Sequence, residues 1–310
     1  MKKWLVIAGT LFAYIVAVGM YFSQRILFMK KKDVELVRNR EIAANRFIIS
    51  DYDKLPKEEI WVSSPSGYHL KCVFAEPHHS KKWIIICHGV TENKINSIKY
   101  MNIFLQRGFN AVIYDHRRHG ESGGLTSSYG HFEKFDLKAV VDELKRRKGN
   151  DITLGIHGES MGAATVLLYA GTIEDGADFY VADCPFSDFE AQIKHQLKRE
   201  VPLPAWMVLP IGAAFVKLRG GFRVKDISPI SFIKNIKKPV LFIHSELDDF
   251  IPASMTEELY KEKEGPKQLF IAANGAHAHS YNENSQEYEK VIDSFLNKLV
   301  FPQLTEQTGH

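Results

Sequence analysis

The sequence predicts an α/β fold: a mostly parallel sheet with helices on both faces and a helical cap inserted late in the chain. Three observations predict it. Short, continuously apolar runs such as Trp83–Cys87 and Val240–His244 alternate with amphipathic runs of helical length, the pattern of strands buried on both faces by crossover helices. Gly158-Glu-Ser-Met-Gly162 stands between a strand-like run ending at His157 and an Ala-rich helical run, so a sharp strand–turn–helix junction carries a serine at its tip. Residues 184–239 then break the alternation, since they are too many for a simple crossover.

The elements follow in order. Leu5–Phe22 carries no charge and is mostly aliphatic and aromatic. As a helix it spans about 27 Å, close to the roughly 30 Å hydrocarbon thickness of a bilayer. Lys2-Lys3 precede it and Arg25 and Lys30-Lys31-Lys32 follow, with Trp4 and Tyr21 at interfacial positions. Residues 1–30 therefore read as a transmembrane anchor outside the globular fold, a single pass into the cell membrane. A cleaved signal peptide is the alternative, with Ala17-Val-Gly19 the nearest small-x-small site. The short basic amino end favours an outside catalytic domain, whereas the richer basic flank after the run pulls the other way. Residues 31–57 are polar and weakly helical, and read as a connector.

The domain is expected over 58–300, followed by a tail at 301–310. Glu59–Ser63 and Tyr68–Ala75 are strand-like and joined by a Ser64-Pro-Ser-Gly67 turn. Further strands are expected at Trp83–His88, Asn110–Asp115, Ile152–His157, Phe179–Asp183, Val240–His244 and Gln268–Ala272. Helices are expected near Ile95–Arg107, Phe132–Lys148, Met161–Ile173, Pro252–Lys263 and Glu287–Leu299. The cap, about 187–235, holds the amphipathic Phe189–Glu200 and an apolar stretch from Pro202 to Leu218. Placed over the carboxyl ends of the strands, where open α/β sheets take ligands, it would offer Trp206, Met207 and Phe215 to a substrate pocket.

Bulk properties exclude several classes. A net charge of +3 without a basic, aromatic-interleaved patch argues against nucleic acid. The three cysteines, Cys72, Cys87 and Cys184, lie in apolar runs without metal-like spacing and read as buried free thiols. The glycine-rich loop Asp115–Gly124 lacks a dinucleotide fingerprint or a P-loop lysine, and its expected task is structural, with Asp115 and Arg117 tying loops together. No cofactor and no metal site is expected. His277 and His279 form an H-x-H pair, but no neighbouring donor cluster completes a site.

A serine hydroxyl is a poor nucleophile near neutrality and needs a histidine base, itself oriented by an acid. For a serine at such a junction, acid and histidine are expected later in the chain, each just past a strand. Ser245–Pro252 offers Glu246, Asp248 and Asp249, and Asn274–Tyr281 offers His277 and His279. A tetrahedral oxyanion needs two N–H donors, expected from Met161, after the serine, and from Val90 in the loop that follows Trp83–Cys87. His88 is expected to pack beneath that loop.

Taken together, His88-Gly89, Tyr114-Asp-His-Arg117, His119-Gly-Glu-Ser122, Gly158–Gly162, Asp226-Ile-Ser-Pro229, Asp248 and His277-Ala-His-Ser-Tyr281 resemble the α/β-hydrolases. The resemblance is to the bacterial membrane-anchored serine hydrolases of the BEM46-like and S33-type branch, over roughly Glu59 to Leu299. It implies the α/β-hydrolase fold, a Ser160–His277–Asp248 triad and Val90 and Met161 as oxyanion donors. Arg118 departs from the pattern, standing where these enzymes often carry glycine. The implied activity is cleavage of a small-molecule carboxylic ester through an acyl-enzyme. Peptidase, amidase or thioesterase action on the same triad, or a non-catalytic lipid-binding role, are the other readings. The oligomeric state is not legible.

Overall fold

A computed structural model describes residues 1–200 and 204–302. Pro202, within the expected cap, and residues 303–310 of the expected tail lie outside the described residues.

Eight strands form one sheet: β1 (Lys57–Ser63), β2 (His69–Ala75), β3 (Lys82–Cys87), β4 (Asn110–Tyr114), β5 (Thr153–Glu159), β6 (Phe179–Asp183), β7 (Val240–Ser245) and β8 (Lys267–Ala272). Their order is β1-β2-β4-β3-β5-β6-β7-β8. The β1–β2 hairpin pairs antiparallel and joins the sheet antiparallel through β4, while β3 to β8 are parallel. The helices are α1 (Lys2–Leu27), α2 (Val34–Ala43), α3 (Ile49–Lys54), α4 (Ile98–Leu105), α5 (Glu133–Lys148), α6 (Met161–Thr172), α7 (Phe189–Glu200), α8 (Ala205–Gly220), α9 (Ala253–Glu262), α10 (Ser280–Glu283) and α11 (Ser285–Phe295).

The alternation of side chains along β3 explains the two-faced core. Trp83, Ile85 and Cys87 share one core with Leu137 and Val141 of α5, Val166 of α6 and Leu259 of α9. Ile84 and Ile86 point the other way and share a core with Phe104 of α4 and Ile292 and Phe295 of α11. A third apolar cluster, including Leu27, Met161, Phe186, Phe189 and Val216, sits between the sheet's carboxyl edge and the inserted helices α7 and α8.

Two expectations need correction. The carboxyl half of α1 is part of the folded body. A methyl group at Gly19 would lie 2.2 Å from the Phe215 ring, and one at Gly212 would lie 3.1 Å from Phe22, so these glycines let α1 and α8 approach closely. Arg219 Nη1 donates to Ser23 Oγ at 2.7 Å, and Leu27 is fully buried. A uniformly apolar run does not reveal which of its faces meets protein, and the small residues at the crossing decided it here. Residues 31–57 are likewise more than a connector. Asp33 caps α2 by accepting from Glu35 N at 2.9 Å, Val37 and Phe47 enter the core beside α4, and buried Glu41 pairs with Arg40 and Arg46.

Candidate active site

Ser160 lies between β5 and α6 with φ 55° and ψ −115°, a backbone shape that L-residues rarely adopt and that costs about 1–3 kcal/mol. The glycines on either side permit it. A Cβ at Gly158 would stand 2.4 Å from the Gly162 carbonyl oxygen, and one at Gly162 would stand 2.1 Å from that of Cys87. Ser160 N donates to Asp183 O at 2.8 Å, which anchors the turn to β6.

Loop closures after β7 and β8 bring partners to that serine. Ser160 Oγ is 2.8 Å from His277 Nε2, and His277 Nδ1 is 2.7 Å from Asp248 Oδ2. A carboxylate only accepts, so Nδ1 carries the proton and Nε2 is left to accept from the hydroxyl. The other Asp248 oxygen accepts from the N–H groups of Phe250 and Ile251, each at 2.9 Å. Burial pushes the Asp248 carboxyl up, but hydrogen bonds from His244 and His277 outweigh it and hold the group well below the usual carboxylate range. Asp249 is exposed and paired with Arg199, Glu246 is exposed, and His279 stands half-exposed 3.8 Å from Glu283.

The loop after β3 presses against Ser160: a Cβ at Gly89 would lie 3.5 Å from Ser160 Cβ. His88 supports it from below, bonding Gly89 O at 2.7 Å through Nδ1 and accepting from His116 N at 2.9 Å through Nε2. Asp115 ties loops as expected, accepting from Lys94 N and Nζ at 2.8 Å and from Glu121 N at 3.0 Å. Arg117 bridges segments by ring contact instead: its guanidinium lies over the rings of Tyr68 and Phe132, and its Nε and Nη1 find no hydrogen-bond partner among the described residues. Arg118 adopts φ 66°, so the chain keeps a shape open to glycine, and its guanidinium donates to Met29 O at 2.8 Å.

Two cavities meet at Ser160. One, of about 140 Å³, is apolar and bounded by Phe22, Ile26, Met161, Phe186, Phe189 and Ile251, among others. The other, about 420 Å³, is the more polar of the two and is bounded by Lys32, Arg46, Thr91, Glu92, His277 and His279, among others. Met29, Val90, Ser160 and Phe250 border both. Trp206, Met207 and Phe215, expected in the pocket, border neither. Trp206 is 75% exposed, Met207 is exposed, and Phe215 is turned onto Gly19 because α8 packs against α1 rather than over the serine. Of the two inserted helices, α7 is the one that borders the cavity at Ser160.

Sequence reasoning also passed over residues that support the site. His244 lies 3.1 Å from Asp248, and its place inside an apolar strand was the available signal. Glu159, fully buried, is held by Lys99 at 3.1 Å, Tyr100 Oη at 2.7 Å and Asn96 Nδ2 at 2.9 Å. Cys184 offers its sulfur within 4.8 Å of the Asp248 and His277 ligand atoms. Burial and nearby carboxylates push its thiol well up, which makes it a poor thiolate ligand, and Asp248 and His277 are already bonded to each other.

Comparisons with known proteins agree with this architecture. Residues 78–219 match the family described as Serine aminopeptidase, S33. The Bacillus subtilis protein YqkD is 50% identical over 300 residues, covering 96% of this chain and 98% of its own. Lysophosphatidylserine lipase ABHD12 of Macaca fascicularis is 25% identical over 232 residues, 69% of this chain and 56% of its own length. Among solved structures, the Pyrococcus furiosus esterase Pf2001 superposes with a TM-score of 0.66 at 22% identity, covering 82% of this chain and 96% of that one. At that identity the likeness concerns the fold alone.

Proposed function

Given that the chain belongs to the α/β-hydrolase superfamily, we propose that it is a serine hydrolase that cleaves carboxylic esters through an acyl-enzyme. The observation that carries the reading is the continuous relay from Ser160 Oγ through His277 to the buried Asp248, at 2.8 and 2.7 Å. In the proposed reaction Ser160 Oγ attacks the ester carbonyl while its proton passes to His277 Nε2. The Val90 and Met161 N–H groups receive the oxyanion, Asp248 stabilises the imidazolium, and His277 returns the proton to the departing alcohol. Water then attacks the acyl-enzyme by the same steps. All of this uses the chain's own residues, with no cofactor or metal.

The two cavities support an amphiphilic ester with its acyl group on the apolar side and its alcohol on the polar side, as does the likeness to a lipase. The S33 family description favours a second reading, amide cleavage on the same triad. Purified protein and Ser160→Ala assayed on short- and medium-chain p-nitrophenyl esters test the reading. Loss of about a thousandfold or more in kcat is expected, and equal rates in both proteins would sink it. Amide turnover exceeding ester turnover would select the second reading.

We also propose that α1 anchors the protein in the cell membrane as a single pass. It includes an 18-residue window of mean hydropathy 2.1 that is only 6% buried and spans about 27 Å. Burial of Ser23 and Leu27 in the domain argues against removal of the whole segment as a signal peptide. Nucleic acid is not a proposed partner.

A further inference from the structure

The apolar cavity beside Ser160 is bounded on one side by the helix that leads to the membrane. Phe22 and Ile26, four residues apart, share one face of α1, and Met29 follows just past the end of the helix. Phe189 and Ile193 on α7, Met161 and Phe186 line the same cavity, which Ser160 also borders. We propose that these last turns of α1 are a specificity-determining wall of the site: they bound the space for the acyl group, and Ile26 limits its length. The inference rests on the ester-hydrolase reading above and adds to it the segment that measures the acyl chain.

The wall is held rigidly enough to discriminate. Gly19 and Gly212 lock α1 against α8, and Arg219 bonds Ser23 at 2.7 Å. Arg25 pairs with Glu200 on α7 at 3.0 Å, joining the two sides of the cavity, and Arg118 holds the Met29 carbonyl at 2.8 Å. The volume also sets a scale. About 140 Å³ is close to the roughly 150 Å³ of an apolar cavity that takes up benzene, so an acyl chain of about six to eight carbons fills it. Ile26 makes no polar contact that its replacement would leave unpaired, so its size can be changed in either direction.

The test uses the full-length protein in detergent and reads kcat/KM on p-nitrophenyl acetate, octanoate and laurate. The wild type is expected to favour octanoate. Ile26→Trp fills the cavity and is expected to lower the octanoate-to-acetate ratio tenfold or more. Ile26→Ala enlarges it and is expected to raise the laurate-to-octanoate ratio severalfold. Partial unfolding scales all substrates together and leaves these ratios intact. Ratios within twofold of wild type in both variants would overturn the proposal. Ester turnover that survives Ser160→Ala unchanged strikes the reaction reading instead, which separates the two failures.

Discussion

Asp248 is held by more hydrogen bonds than orientation of one imidazole requires. Its Oδ1 closes the turn by accepting from Phe250 and Ile251, and Oδ2 meets both His277 and His244. Its neighbour Asp249 points out to Arg199, so one residue of register separates a buried acid from a solvated one. The sequence alone leaves that choice open because both aspartates follow the strand at nearly the same distance. What separates them is the turn closed by the Asp248 side chain, a local hydrogen-bonding preference that only the folded loop displays. Asp248→Asn is expected to keep the turn but to lose the carboxylate that fixes the His277 tautomer. On the proposed reaction kcat should fall by about 10²–10⁴ with KM moving far less, measured by steady-state ester hydrolysis. A loss carried wholly by KM would contradict the role.

At the scale of elements, the strands and the inserted helices α7 and α8 were legible, and the direction in which α8 faces was not. Continuous apolar runs locate central strands such as β3, β4, β6 and β7, because burial on two faces leaves little room for polar residues, while the turn at Ser64–Gly67 locates the edge hairpin β1–β2. The direction in which α8 faces depends on a crossing with α1, far away in the chain. Gly19 and Phe215 meet there, and no local pattern announces such a contact. The same holds for α2, which looks polar but is fastened by charge. Glu92, three residues past Gly89, bonds Lys32 and bridges Arg40 at 2.9 Å. Burial pushes the Glu92 carboxyl up, yet Arg40 and Lys32 outweigh it and hold it down at about 2.

A carboxyl depressed in the fold stabilises above its ordinary range and loses that contribution as acid protonates it. From an ordinary 4.5 to about 2, the contribution is about 3 kcal/mol at neutral pH. Glu92→Gln should therefore be less stable than wild type by up to about that amount at pH 7. The gap should close as pH falls from about 4.5 to about 2, read by denaturant unfolding of both proteins across that window. A gap independent of pH would show that packing, not charge, makes the difference.

For the whole molecule, the parallel sheet places the ends of β5, β7 and β8 along one edge, which is why residues at positions 160, 248 and 277 converge. That convergence was legible as an order of residues after strands. The participation of α1 was not, because hydropathy ranks the segment for lipid and is blind to the half that meets protein. The amino half exposes Trp4, Leu5, Ile7, Leu11 and Phe12, while Ser23 and Leu27 are enclosed. If α1 is retained as proposed, the intact chain should sediment with membranes and resist alkaline carbonate extraction. External protease on intact cells should digest the domain if it faces outward and spare it if it faces inward. Release of a full-length domain into the soluble fraction would overturn the anchor.

The meeting of two unlike cavities at Ser160 has a consequence in time. In the proposed reaction the alcohol would leave through the polar cavity while the acyl group is still bonded to Ser160 on the apolar side. Water for the second half-reaction would then enter by the path the alcohol has just vacated, past His277. Departure of the first product and arrival of the second reactant would share one doorway, so a slow-leaving alcohol would delay deacylation without ever touching the acyl chain.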